Sequence, residues 1–204
     1  MHVDACEGRM ARPREFDETK VLDAAIQCFW SRGYEATSVR DLAHSMGMTG
    51  ASLYNAFGDK RALYRKSLDR YVAQNFGTRV ERIEHHLQPR QAITAFFDEI
   101  IARSLDDSRR KGCMLINSAV EMAPHDKRLG RVIADVLLEM ERFFLRCVKA
   151  GQRDGTITKS QSADNLAKLL LGTLLGIRVL ARARPEPDLL RGIFKPVAAL
   201  LDQP

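Results

Sequence analysis

Cysteine is scarce in this 204-residue chain, and its spacing is uninformative as a framework: Cys6, Cys28, Cys113 and Cys147 stand far apart with no CxxC pair. That spacing argues against a zinc site and against a disulfide scaffold, and leaves reduced thiols in the cytoplasm as the expected state. No apolar run of signal-peptide type opens the chain. The longest apolar stretch, Leu166 to Ala181, is interrupted by Lys168 and Arg178 and is too short to cross a bilayer. Segments of strand period, internal repeats and low-complexity runs are absent as well. No nucleophile–base pair, metal cluster or glycine-rich phosphate loop stands out, so an all-α enzyme has no support beyond its possibility. His85, His86 and His125 lack partners at metal-ligand spacing and read as surface residues.

What is present is an ordinary globular composition, 45% hydrophobic and 28% charged, with a formal net charge of +6. That surplus permits nucleic acid as a partner without demanding it. Bases and acids nearly cancel within residues 1–78, so a DNA footprint there has to come from local placement.

Helical periodicity runs almost throughout. Residues 1–14, with Arg9, Arg12 and Arg14 around Pro13, read as a flexible basic tail, and Met10 is a possible natural start. From Glu15, the spacing of Val21, Leu22, Ala25, Cys28 and Phe29 predicts a helix that Gly33 stops. Ser38 with Asp41 forms an acidic variant of the capping box for a short helix ending at Gly47. Thr49 caps another through about Phe57, and Asp59 caps a fourth that runs into the seventies. Further helices are expected from Pro89 to near Asp107, from Gly112 to before Pro124, and from about Asp126 to Gly151–Gly155. Ser160 or Ser162 caps the next, and Pro185 and Pro187 precede a last helix to about Leu201. The fold class is all-α, with about nine helices.

The segment "TGASLYNAFGDK", Thr49 to Lys60, is unusual in being small and polar between apolar helices. Two short helices joined by a glycine-containing turn, the first capped and apolar and the second small and polar, make a helix-turn-helix. A recognition helix must enter a groove about 12 Å wide, so Gly50, Ala51 and Ser52 at its start allow close approach. Leu53 and Phe57 face inward, while Tyr54 and Asn55 face outward. Asparagine can pair bidentately with adenine, and Ala51 can pack on a thymine methyl.

The stretch from Val21 to about Leu68 resembles the N-terminal domain of the TetR family of bacterial transcriptional regulators. The resemblance rests on Ala24-Ala25, Phe29, Gly33-Tyr34, Thr37, Arg40, Leu42-Ala43, Gly47, Leu53-Tyr54, Phe57, Lys60 and Leu63 in joint order and spacing. It implies residues 15–78 as a helix-turn-helix DNA-binding domain that includes a connecting fourth helix. It implies residues 79–204 as a ligand-binding and dimerisation domain. Tyr54 and Lys60 would then contact phosphates, Thr37 and Arg40 would touch backbone or an outer base, and Thr49, Gly50, Ser52 and Asn55 would read bases. Tyr54 as a packing aromatic and Arg40 as a solvated charge stand beside those roles. Arg61, Arg65, Lys66 and Arg70 read as a solvated face with a weak steering role.

"GCMLINSAVEMAPHD", Gly112 to Asp126, is similar to a subset of the family whose sixth helix begins Gly-Cys and which includes the N-ethylmaleimide reductase repressor. That likeness implies an electrophile-sensing thiol at Cys113, with a small packed hydrophobe as the alternative. Arg109, Arg110 and Lys111 just before it, and the helix N-terminus, favour thiolate. Asn117 and Glu121 could anchor a ligand in the same cavity or form a capped or solvent-facing polar stripe, and Phe96, Phe97, Phe143 and Phe144 could line it or fill the core. The expected function is a dimeric cytoplasmic repressor of palindromic operator DNA, released by a small-molecule effector and needing no cofactor. A thiol-responsive repressor and a weakly specific architectural DNA binder remain as alternatives.

Overall fold

The computed structural model describes residues 16–202, so the expected basic tail at 1–14 and the alternative start at Met10 lie outside the described residues. All regular structure among the described residues is helical: α1 (Glu18–Arg32), α2 (Val39–Ser45), α3 (Gly50–Phe57), α4 (Lys60–Val72), α5 (Thr78–His86), α6 (Pro89–Leu105), α7 (Met114–Glu121), α8 (Lys127–Asp154), α9 (Ala163–Ala183) and α10 (Pro187–Ala199). A π-helical turn, Ala73–Gly77, joins α4 to α5 without a break. Counted as one rod, Lys60 to His86 brings the number of helices among the described residues to nine, in line with the expected number.

The boundaries follow from local chemistry. Ser38 accepts from the Asp41 N–H while the Asp41 carboxylate accepts from the Ser38 N–H, satisfying two donors that a helix start leaves free. Thr49 accepts from the Ser52 N–H, and Asp59 from the Ala62 N–H. Gly47 has φ +64°, a left-handed conformation, and a Cβ there would meet no atom within 4 Å. Its φ rather than crowding is therefore what calls for glycine, and it sets the α2–α3 turn. Ser162, not Ser160, caps α9, because it accepts from the Asn165 N–H while Ser160 takes a bond from Thr158.

Two departures from expectation matter. The division expected between residues 78 and 79 falls inside the rod, so one helix belongs to both parts. α7 begins at Met114, with Cys113 in the N-cap position rather than in the first turn.

Helices α1 to α4 pack around Phe29, Leu42, Leu53, Leu63 and Leu68, all nearly or fully buried. The larger body packs α5, α6, α8, α9 and α10 around phenylalanines. Phe97 stacks on Phe194 with centroids 4.1 Å apart, and Phe96 lies 5.2 Å from Phe143 and 5.4 Å from Phe144. Phe97, Phe143 and Phe144 are therefore core, each contributing on the order of 1.5–3 kcal/mol by burial.

At the end of α8, a Cβ on Gly151 would sit 2.6 Å from both Cδ1 and Cγ1 of Ile157, which is itself fully buried. Alanine would gain about 0.5–1 kcal/mol as a better helix former. Overpacking a closed core costs about 1–3 kcal/mol and outweighs that gain. Gly151→Ala is expected to lower the thermal midpoint by several degrees, measured by circular dichroism; an unchanged or raised midpoint would show that Ile157 has room to move.

Candidate nucleic-acid interface and effector cavity

The face formed by α3 and its flanks is built from short side chains on a buried anchor. Leu53 is fully buried and Phe57 nearly so, which orients the helix about its axis. Gly50, Ala51, Ser52, Tyr54 and Asn55 are thereby turned away from the core, with Tyr54 50% exposed. A Cβ on Gly50 would meet nothing within 4 Å, and the residue is not in a positive-φ conformation. Neither packing nor backbone strain in the described chain therefore accounts for glycine at this position. Thr49 spends one acceptor on the Ser52 N–H, and the two hydroxyls lie 2.9 Å apart.

Lys60 opens α4 with its Nζ 4.2 Å from the centre of the Tyr34 ring and 3.5 Å from the Glu35 carbonyl. Arg40 is exposed and forms no ion pair among the described residues. Thr37 departs from expectation. It is fully buried and its hydroxyl donates to the Gly33 carbonyl at 2.6 Å, so its side chain locks the α1–α2 turn and is unavailable to a phosphate. Of the cations read as a solvated face, Arg61 is bound to Asp126, Lys66 to Glu18 and Arg70 to Asp23.

The body holds a cavity of about 370 Å³ between the rod, α6, the turn before α7, α8 and α9. Trp30 of α1 closes one side. Tyr71, Phe76, Phe96, Met140 and Leu174 supply apolar wall, and Asn75 and Phe76 belong to the π turn. Such turns recur at functional sites because they widen one helical turn and re-aim its side chains. Cys113 lies on the wall, half-buried, and the Tyr71 hydroxyl donates to its Sγ at 3.7 Å. Burial raises the Tyr71 phenol well above its ordinary range, with the neighbouring thiol adding to the effect, so the hydroxyl keeps its proton.

Asn117 and Glu121 do not line this cavity. They border a smaller polar pocket, about 180 Å³, between α1, α4, α7 and α9. Asn117 donates to the Lys111 carbonyl and accepts from Arg182. Glu121 accepts from the Glu35 N–H at 3.0 Å, and a Cβ on Gly33 would lie 3.1 Å from its carboxylate. Cys113 is the N-cap of α7, with extended φ −109° and ψ 121°, so its side chain is out of register with the helical face that Asn117 and Glu121 share, which is why the three residues part company.

Two residues that the sequence pattern did not single out tie head to body. Ser118 uses its one proton on the Met114 carbonyl, so Tyr64 is the donor in the buried 2.6 Å bond between their hydroxyls. Burial pushes the Tyr64 phenol up to about 12, the Ser118 bond opposing the shift. Arg178, inside the apolar stripe of α9, reaches the cavity; a cation interrupting such a stripe is the signal that marks it.

Residues 21–66 match the model of bacterial regulatory proteins of the tetR family, and residues 89–195 match the tetracyclin repressor-like C-terminal domain. The chain belongs to the TetR family. That membership makes it a regulatory protein and not an enzyme. It is 32% identical over 197 residues to YezE of Bacillus subtilis, described as an uncharacterized HTH-type transcriptional regulator, covering 95% of this chain and 100% of that one. It is 28% identical to the transcriptional repressor ComR of Escherichia coli, covering 84% and 82%. Among solved structures, a cysteine mutant of the TetR family regulator CifR with 26-bp operator DNA is 28% identical, covers 92% of this chain and 98% of its own, and superposes with a TM-score of 0.82. No helix among the described residues is long and apolar enough to cross a membrane.

The α2 cap gives the head an acid-sensitive element. Bonds from Ser38, first its hydroxyl and then its backbone, with Arg32 behind them, hold the Asp41 carboxyl at about 2 against an ordinary 3.8. A depressed carboxyl contributes stability that is complete above the unfolded value and is lost as pH falls through the folded one. Asp41→Asn is therefore expected to be less stable than the native chain at neutral pH, with the difference shrinking as pH falls from about 4 toward 2. Thermal melts of both proteins across that range check it, and a pH-independent gap would refute the linkage.

Proposed function

We propose that the protein is a dimeric, cytoplasmic repressor that binds palindromic operator DNA through α3 and is released by an effector in the 370 Å³ cavity. The observation that carries the DNA half is the outer face of α3, where Gly50, Ala51, Ser52, Tyr54 and Asn55 present small or polar surface while Leu53 and Phe57 anchor the helix. Gly50 has no role inside the fold, which fits a backbone that must approach another molecule closely. In this reading Asn55, Ser52 and Thr49 read base edges with Ala51 against a methyl group. Tyr54, Arg40 and Lys60 take phosphates, and Thr37 acts only by holding the turn.

Dimerisation follows from geometry. Two recognition helices must lie about 34–36 Å apart to enter successive major grooves. The exposed side of α9 and α10 supports it, since Leu169 and Val179 of α9 and Leu200 at the C-cap of α10 are 40%, 52% and 54% exposed, and Gly172 and Gly192 are exposed on the same two helices. Small and apolar residues on two adjacent helices suit a four-helix bundle across a two-fold axis. An effector that favours one spacing of the two heads by a few kcal/mol is enough to switch occupancy.

Cys113 favours a second chemistry for the same cavity. It lies on the cavity wall with the Tyr71 O–H aimed at its sulfur, so an electrophile held in the cavity would meet this thiol. Cys113→Ser is expected to abolish the response to electrophiles such as N-ethylmaleimide, followed by operator release in a mobility-shift assay. A response that survives the substitution would leave reversible binding as the mode of control.

Selection of genomic fragments by the purified protein at physiological salt tests the main reading. Enrichment of a few sites with a palindromic core is expected, and Asn55→Ala should weaken discrimination at one base pair per half-site by about 1–3 kcal/mol. Broad enrichment without a motif would replace the repressor by an architectural binder.

A further inference from the structure

Four cations reach the cavity wall, and they are not equally satisfied. Arg79, 7% exposed, donates to the Glu99 carboxylate at 3.1 Å and to the Asn75 carbonyl at 2.7 Å. The other three are held by neutral acceptors. Arg178 donates to the Ser104 hydroxyl at 2.8 Å and to the Gly112 carbonyl at 3.0 Å. Arg103 donates to Asn75 Oδ1 at 3.0 Å, and Lys111 donates to Gln27 Oε1 at 3.2 Å with its Nζ 3.9 Å from the centre of the Trp30 ring. None of these three pairs with a carboxylate among the described residues. Two carboxylates do line the cavity. Asp107 accepts from the Gly112 N–H at 2.9 Å, and Asp106 is exposed to solvent.

A guanidinium carries five N–H donors, and Arg178 has described partners for two of its groups only. Its half-buried setting lowers the local dielectric, so a carboxylate would bind it through charge-assisted bonds about twice as strong as those to a hydroxyl or carbonyl. Desolvating an anion is costly and one cation alone seldom repays it. Here Arg103 and Lys111 border the same space, and the opposite wall is apolar and aromatic.

We propose that the cavity takes a small organic acid, with its carboxylate held by the Arg178 guanidinium and flanked by Arg103 and Lys111, and its apolar body against Trp30, Phe96 and Leu174. This rests on the effector reading above and deepens it by naming the ligand's chemistry. It also supplies a link to the head. The Gly112 carbonyl accepts from Trp30 Nε1 at 3.1 Å as well as from Arg178 at 3.0 Å, so one oxygen joins α1 of the DNA-binding part to α9 of the body. A carboxylate that draws Arg178 toward itself weakens that shared anchor.

Trp30 is the single tryptophan of the chain and lies on the cavity wall, so its fluorescence reports occupancy directly. The probes are cyclohexanecarboxylate, 4-phenylbutyrate and octanoate, each titrated beside its primary amide into the intact protein. At least one acid is expected to give a saturable change and to bind at least tenfold tighter than its amide. Arg178→Gln should erase that preference, and Arg178→Lys, which keeps the charge but not the fork, should retain part of it. Should Arg178→Gln fail to fold, judged by its melting curve, Arg103→Gln at an exposed position should still lower acid affinity several-fold. Equal binding of acid and amide overturns the proposal, as does binding by no member of any pair. A preference for acids that survives in folded Arg178→Gln overturns it too, and so does an unchanged acid affinity in Arg103→Gln where that variant has to stand in. Acid binding that leaves operator occupancy unchanged would instead sink the effector-release reading and spare this one. Operator release by a neutral compound, with the acids unbound, would do the reverse.

Discussion

One helix has to satisfy two cores. The rod from Lys60 to His86 gives Leu63 and Leu68 to the head, Tyr71 and Phe76 to the cavity wall, and Val80 and Ile83 to the body. At 1.5 Å per residue it is about 40 Å long, and a helix of that length does not bend freely. The π turn at Ala73–Gly77 resolves the geometric conflict. Its wider turn shifts the phase of the helix between the segment that serves the head and the segment that packs on α6. That shift falls at the cavity, so a ligand touching Asn75 or Phe76 touches the place where the two halves of the rod are matched.

The second hold between head and body is α7, and the strengths there are modest. The Tyr64–Ser118 bond is worth on the order of 0.5–1.5 kcal/mol net, as a neutral buried hydrogen bond. The Arg61–Asp126 pair has its guanidinium half in solvent, which screens it and limits its contribution. Glu121 against Gly33 and the Glu35 N–H adds one charge-assisted bond. For the proposed switch, a sum of a few kcal/mol would keep the head in place while leaving its orientation within reach of what one ligand can supply. A larger apolar junction would weld the two parts and remove the basis for a switch.

Most helix boundaries were legible because caps and breakers act locally. Ser38 with Asp41, Thr49, Asp59, Ser162 and the left-handed glycines at 47 and 155 do in the structure what their residue types imply. α5 was not legible: the fourth helix was expected to run only into the seventies, whereas the π turn at Ala73–Gly77 carries it on to His86. Thr37 read as a surface contact because nothing in its neighbours shows that its hydroxyl returns four residues to Gly33. Asn117 and Glu121 read as companions of Cys113 because helical spacing aligns them. Cys113 is nevertheless the extended N-cap residue, so it does not share the helical face of the other two.

The head and the cavity differ in legibility for a physical reason. B-DNA has fixed groove dimensions, so any helix that enters it meets the same limits of size and polarity, and the caps and core residues that hold such a helix, here Ser38, Gly47, Leu42 and Leu53, lie close to it in the chain. A cavity answers only to its own ligand. Its wall is assembled from residues as distant in the chain as Trp30 and Arg178, each unexceptional among its sequence neighbours. Arg178 illustrates the difference: within "GIRVLA" it only interrupts an apolar run, and its meaning appears when the fold sets it beside Ser104 and Gly112 with no carboxylate partner among the described residues. Burying a charge without a counter-charge is unfavourable enough that a stable chain rarely retains it for packing alone. The residue order around α3 is therefore readable along the chain, whereas the cations of the cavity acquire their meaning only where the fold brings them together.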